Sequence, residues 1–121
     1  VGIATNDGVG ETYQEALQYP SLNVRGLAAA WTGDKVRTII PADVTIEIDM
    51  RLVPETPGER QVALLKQYIA DQGYHYVNGE PTEEERMEFD KLISFSYKLG
   101  SVPFRTPLGT EFDKWLTTIC N

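Results

Sequence analysis

The stretch VRTIIPADVTIEIDMRLVP, Val36–Pro54, decides how this chain is read. After Pro41 it alternates. Val44, Ile46, Ile48, Met50 and Leu52 are apolar, and Thr45, Glu47, Asp49 and Arg51 are polar. Successive side chains on a strand point to opposite faces, so the pattern predicts a half-buried β-strand with one wet face. At roughly ten residues and about 3.3 Å per residue, the strand would span about 33 Å. The wet face is acidic until its end, where Arg51 stands shortly before Pro54. A guanidinium is a planar five-donor fork that matches a carboxylate, which makes Arg51 the candidate anion-binding group.

Towards the N-terminus, SLNVRGLAAAW (Ser21–Trp31) sets Leu22 and Val24 against Asn23 and Arg25. It predicts an antiparallel partner for the long strand. Gly26 inside it points to a bulge or a close backbone approach. TGDK, Thr32–Lys35, has turn composition. The rest of the connection carries Arg37, Thr38 and Pro41. Further upstream, TYQEALQY (Thr12–Tyr19) predicts two helical turns stopped by Pro20. The glycine-rich Val1–Glu11 reads as a loop.

Towards the C-terminus, Thr56 followed three residues later by Glu59 has the form of a capping box, with Pro57 in the first helical position. Val62, Leu65, Tyr68 and Ile69 repeat at helical spacing and Gly73 ends the pattern, which predicts a helix of about 16 residues. Tyr74–Val77 reads as a short strand. Glu83–Glu85 reads as a solvated helical turn started by Thr82, because contiguous glutamates do not converge on one face. KLISFSYK (Lys91–Lys98) alternates and predicts a further strand. Leu99–Gly109 holds prolines and glycines and is irregular. In Thr110–Asn121, Phe112, Trp115, Leu116 and Ile119 form one helical stripe.

The chain has 121 residues, enough for one domain with a core. Its net charge is −7, and no run of Lys and Arg interleaved with aromatics occurs. This excludes nucleic acid and anionic membrane surfaces as expected partners. No apolar run approaches the ~20 residues of a membrane span. The chain starts at Val1 and reads as a processed or cut-out piece, so its compartment is not legible. The single cysteine, Cys120, has no internal disulfide partner and reads as a small apolar residue or a terminal thiol.

Motifs for hydrolysis, metal binding or nucleotide binding are missing. The single histidine, His75, lies between tyrosines and reads as a packing or edge residue. A His75–Cys120 pair would be the basis of a small enzyme, but nothing in the sequence places the two together. Glu47 and Asp49 share a strand face about 7 Å apart, a spacing open to acid–base work as well as to a solvated sheet. Local chemistry thus describes a non-catalytic α/β unit with no metal ligand set and one candidate group, Arg51.

The run SLNVRGL, then RTIIPADVTIEIDMRLVPETPGE, then a helix ending at Gly73, resembles the lid or dimerisation domain of the M20 family of metallopeptidases. That family includes carboxypeptidases, dipeptidases and aminoacylases. FRTPLGTEFDKWL, Phe104–Leu116, resembles the segment that returns from the lid to the catalytic domain. The resemblance spans roughly Glu11–Leu116. It implies an α+β fold of ferredoxin-like, two-layer type, a four-stranded antiparallel sheet with helices on one face. The first strand and helix would precede Val1, which leaves the sheet incomplete at its N-terminus. Residues 1–20 would be a lead-in loop and short helix, 21–98 the partial lid, and 99–121 the return segment. Two zinc ions and every catalytic group would lie in the parent's catalytic domain, so the chain alone is expected to be inactive. Arg51 would hold the carboxylate end of a peptide or N-acyl amino acid substrate. Thr38, from the T-x-I-P loop, would reach the active site of the partner subunit in a homodimer. Relatives often carry paired glycines where this chain has Ala28-Ala29-Ala30-Trp31. The alternative reading is a self-contained α/β module that binds a small acidic ligand through the same Arg51.

Overall fold

Residues 8–120 are described by a computed structural model of the chain. The elements in order are α1 (Tyr13–Ala16), β1 (Ser21–Ala29), a 3-10 turn (Gly33–Lys35), β2 (Val44–Arg51), α2 (Gly58–Asp71), β3 (His75–Val77), α3 (Glu83–Glu88), β4 (Leu92–Ser94) and α4 (Glu111–Cys120). The chain divides into two compact units, 1–53 and 54–121. The fold is α+β, with an antiparallel strand pair and helices, compatible with a two-layer arrangement.

In the first unit, β1 and β2 form the expected antiparallel hairpin. β2 is eight residues long, shorter than the sequence pattern suggests, because regular pairing stops at Ser21–Arg51. The register shifts between Val24 and Gly26, at the bulge that Gly26 announces. This shift decides which side chains share a face. Leu22 faces Met50 and Val24 faces Ile48; beyond the shift Leu27 faces Ile46 and Ala29 faces Val44. Without the extra residue, strict alternation would send Leu27 to the polar side. The bulge therefore keeps the apolar side chains of β1 in phase with those of β2. A side chain on Gly26 would meet Glu47 Cβ at 3.5 Å, which is ordinary contact, so space alone does not require glycine there.

Ala30, the residue directly after β1, has φ 52°, in the left-handed region. This is the position where the resemblance leads one to expect glycine. An alanine there carries about 1 kcal/mol or more of backbone strain that a glycine would not. Thr12 caps α1, its hydroxyl accepting from the Glu15 backbone N–H at 3.2 Å.

In the second unit, α2 starts at Gly58, one turn position later than the sequence suggests. Its cap position is Pro57, with ψ 134°, and no side chain caps it there. The proposed Thr56–Glu59 capping box is therefore not the one that forms at this helix. Proline cannot extend a helix backwards, and its extended ψ places the helix start after it. The capping box forms at α3 instead: Thr82 Oγ1 accepts from Glu85 N–H at 3.2 Å, and Glu85 Oε2 accepts from Thr82 N–H at 2.8 Å. Gly73, at φ 84°, ends α2 as expected. Lys91 Nζ donates to the Gln72 carbonyl at 3.1 Å at the same helix end.

β3 and β4 pair in parallel, not antiparallel, and the described residues form two two-stranded sheets in place of the expected four-stranded one. The connection 78–91, with α3 inside it, is long enough for the crossover that parallel strands need. The predicted strand Lys91–Lys98 is regular only over Leu92–Ser94. The rest of it is held by side chains. The Phe95 and Tyr97 rings lie under Lys66 Nζ at 5.1 and 5.5 Å, and Tyr97 Oη donates to Glu59 Oε2 at 3.3 Å. Tyr76 Oη donates to the Lys66 carbonyl at 2.9 Å, and desolvation raises its pKa above the ordinary phenol value.

No described residue of either unit is buried, which corrects the expectation of one domain with its own core. The reason is architectural. A two-stranded sheet is one layer, and an apolar face closes into a core only against a second. Leu22, Val24, Leu27, Val44 and Ile46 on the hairpin, and Phe112, Trp115, Leu116 and Ile119 on α4, are all exposed.

Candidate functional site

The hairpin's polar face carries four cross-strand pairs: Ser21 opposite Arg51, Asn23 opposite Asp49, Gly26 opposite Glu47 and Ala28 opposite Thr45. Directly opposed residues share a face, so the end of this face gathers Ser21, Asn23, Asp49 and Arg51. Asn23 Nδ2 donates to Ser21 Oγ at 3.2 Å. Further along, Arg25 Nε donates to Glu47 Oε2 at 3.2 Å, so Glu47 is already paired. This removes the Glu47–Asp49 carboxylate pair as an acid–base couple: one of its members is committed to an arginine supplied by the bulge.

Arg51 is the last residue of β2, and its side chain is 81% exposed. Its partner is Asp49, with Nε 3.8 Å from Oδ2. That distance is Coulombic contact and too long for a hydrogen bond. The Nη1 and Nη2 atoms have no hydrogen-bond partner among the described residues. The fork therefore stands at the open end of a strand, anchored loosely on its Nε side, with its bidentate edge unspent. Such an edge can receive a carboxylate through two parallel charge-assisted hydrogen bonds.

Thr38 lies in the irregular segment that leads into β2, and it is exposed. Its neighbour Arg37 is turned back on its own backbone, Nη1 donating to the Val36 carbonyl at 2.9 Å. The full length of β2 runs between the Thr38 loop and Arg51, about 24 Å of strand. No hydrogen bond or ion pair among the described residues joins the two. The structure thus presents Thr38 and Arg51 separately.

His75 is a packing residue: its ring stacks on Phe89 with centroids 3.7 Å apart and planes 3° from parallel. Cys120 is an exposed free thiol at the end of α4. Among the described residues no three His, Cys, Asp or Glu side chains cluster so as to hold a metal ion.

Sequence reasoning missed Arg105. It forms a two-pronged pair with Glu55, Nη1–Oε1 2.6 Å and Nη2–Oε2 3.2 Å, between segments that are irregular in the sequence reading. Fifty residues separate the partners, so no local spacing could have announced the contact. The hydrogen bond from Arg105 holds the Glu55 carboxyl below its ordinary value of 4.5, helped by a backbone hydrogen bond and opposed by slight desolvation. Because the folded value is depressed, what the pair contributes is complete above pH 4.5 and is lost as pH falls through the lower, folded value. An NMR titration of the Glu55 carboxyl should therefore give a midpoint below 4.5, returning upward in Arg105→Ala. An unmoved midpoint in the variant would show that Arg105 is not the cause.

Over 90 residues, 74% of this chain, the sequence is 27% identical to the Cys-Gly metallodipeptidase dug1 of Schizosaccharomyces pombe, an M20-family enzyme. The similarity relates this chain to a peptidase domain. The matched region is 18% of that enzyme's length. No family model matches the chain. No solved structure matches it.

Proposed function

We propose that this chain is the non-catalytic lid, or dimerisation part, of an M20-type zinc-dependent peptidase or amidohydrolase, and that it captures the carboxylate end of the substrate. Arg51 is the capturing group. The observation that carries this reading is the unspent Nη1–Nη2 edge of Arg51 at the open end of β2. The order of the motifs from Ser21 to Gly73, together with the partial similarity to a metallodipeptidase, supports it. Thr38 would act on a neighbouring subunit's site in a homodimer. Its separation from Arg51 by the length of β2 fits a role in a site other than the one Arg51 serves. The substrate class is a peptide or N-acyl amino acid, with an amide bond next to a free carboxylate. The zinc ions and the groups that carry out hydrolysis would belong to the remainder of the longer enzyme, and no step of the chemistry is assigned to residues of this chain. The exposed apolar faces of the hairpin and α4 are what a lid would cover with the rest of its domain. The test is steady-state kinetics of the full-length hydrolase with Arg51→Ala, on substrates with and without the free carboxylate.

A further inference from the structure

Beside Arg51 lies a second group whose bonding capacity is also unspent. Asp49 has no hydrogen-bond partner among the described residues, and its side chain is 45% exposed. This sets it apart from Glu47, which Arg25 has already engaged. Asp49 and Arg51 are two residues apart on one strand face, with Oδ2 3.8 Å from Nε. They offer adjacent and opposite functions: a fork of donors with an open edge, and a carboxylate that only accepts. Neither satisfies the other, since 3.8 Å is beyond hydrogen-bond reach.

We propose that Asp49 is a specificity-determining residue that accepts a hydrogen bond from the substrate's amide N–H while Arg51 holds the neighbouring carboxylate. This rests on the carboxylate-capture reading above and names the chemistry of the captured end. In a C-terminal or N-acylated amino acid, one carbon separates the amide nitrogen from the carboxylate carbon, so the two polar groups lie roughly 3 Å apart. That spacing suits an acceptor and a donor fork held side by side as Asp49 and Arg51 are. Arg51 Nη1 and Nη2 donate to the carboxylate, and the amide N–H donates to Asp49 Oδ. The site then favours acylated residues that retain an N–H. It disfavours N-alkylated ones, such as a C-terminal proline or sarcosine, which have no hydrogen to give and leave Asp49 unpaired. Ser21, opposite Arg51, accepts from Asn23 and keeps its own hydroxyl hydrogen available at the same edge.

The experiment is an NMR-monitored titration of the chain with N-acetylglycine and with N-acetylsarcosine. The two carry the same charge and differ in the N–H. Unchanged dispersion of the amide spectrum shows that each variant is folded. N-acetylglycine should bind at least about tenfold tighter, the size of one hydrogen bond to a charged group. Asp49→Ala should bring the ratio close to one. Asp49→Asn, which keeps one acceptor oxygen, should retain part of it. A ratio that persists in Asp49→Ala overturns the role of Asp49 and leaves carboxylate capture standing. Binding of N-acetylglycine that Arg51→Ala does not weaken overturns the underlying reading itself, as does failure of the wild-type chain to bind either probe.

Discussion

Replacing Arg51 by alanine should lower kcat/KM of the proposed full-length hydrolase by about 10- to 150-fold on substrates with a free carboxylate, equivalent to about 1.5–3 kcal/mol, the range for a hydrogen bond to a charged group. Arg51 closes β2, where the pairing partner is the small Ser21 and the chain turns away at Pro54. The neighbouring carboxylate is too far to engage the fork, and Nη1 and Nη2 have no partner among the described residues. The side chain is free to donate two bonds to a substrate, and closure of a lid over it would strengthen both by excluding water. The same substitution should change little for the matching carboxamide, which cannot use the fork bidentately. Arg51→Lys should fall between, because it keeps the charge and loses the planar geometry. Equal kinetics for wild type and Arg51→Ala would remove Arg51 from substrate binding.

The second large effect is on stability. Leu65→Ala should destabilise the chain by about 1–2 kcal/mol in chemical denaturation, below the 2–5 kcal/mol of a fully buried leucine. Leu65 is half-buried on α2, in line with Val62 and Ile69. Its neighbour Leu64 points to solvent and is 53% exposed. Leu64→Ala should therefore stay within about 0.5 kcal/mol of the parent, as exposed substitutions do. Equal costs at the two positions would mean that α2 does not use the 62–65–69 stripe as its inner face.

The elements that sequence pattern located well are those whose signal is local. Alternation over Val44–Arg51 gave β2, and its weaker counterpart gave β1 with the irregularity near Gly26. Thr82 and Gly73 marked helix ends through side-chain and backbone chemistry that acts within four residues. Thr56–Glu59 shows the limit of such signals: the spacing is right for a cap, but Pro57 moves the start of the helix. The parallel pairing of β3 with β4 was not legible, because direction depends on how the 78–91 crossover runs and not on either strand's composition. Tyr97 and Phe95 were read as strand because they alternate, whereas contacts with α2 hold them outside a ladder. At the candidate site, the sequence identified Arg51 by its residue type and its place on the wet face. It could not show that Arg25 occupies Glu47 while Asp49 stays open, since the bulge decides which β1 side chain meets which carboxylate.

The most direct test of the lid assignment is to read the coding sequence on both sides of this chain. The account predicts an upstream His-x-Asp and a Glu-Glu pair, with a further histidine downstream of Asn121. A start codon immediately before Val1 and a stop codon immediately after Asn121 would contradict it. They would leave a self-contained module that binds a small acidic ligand through Arg51.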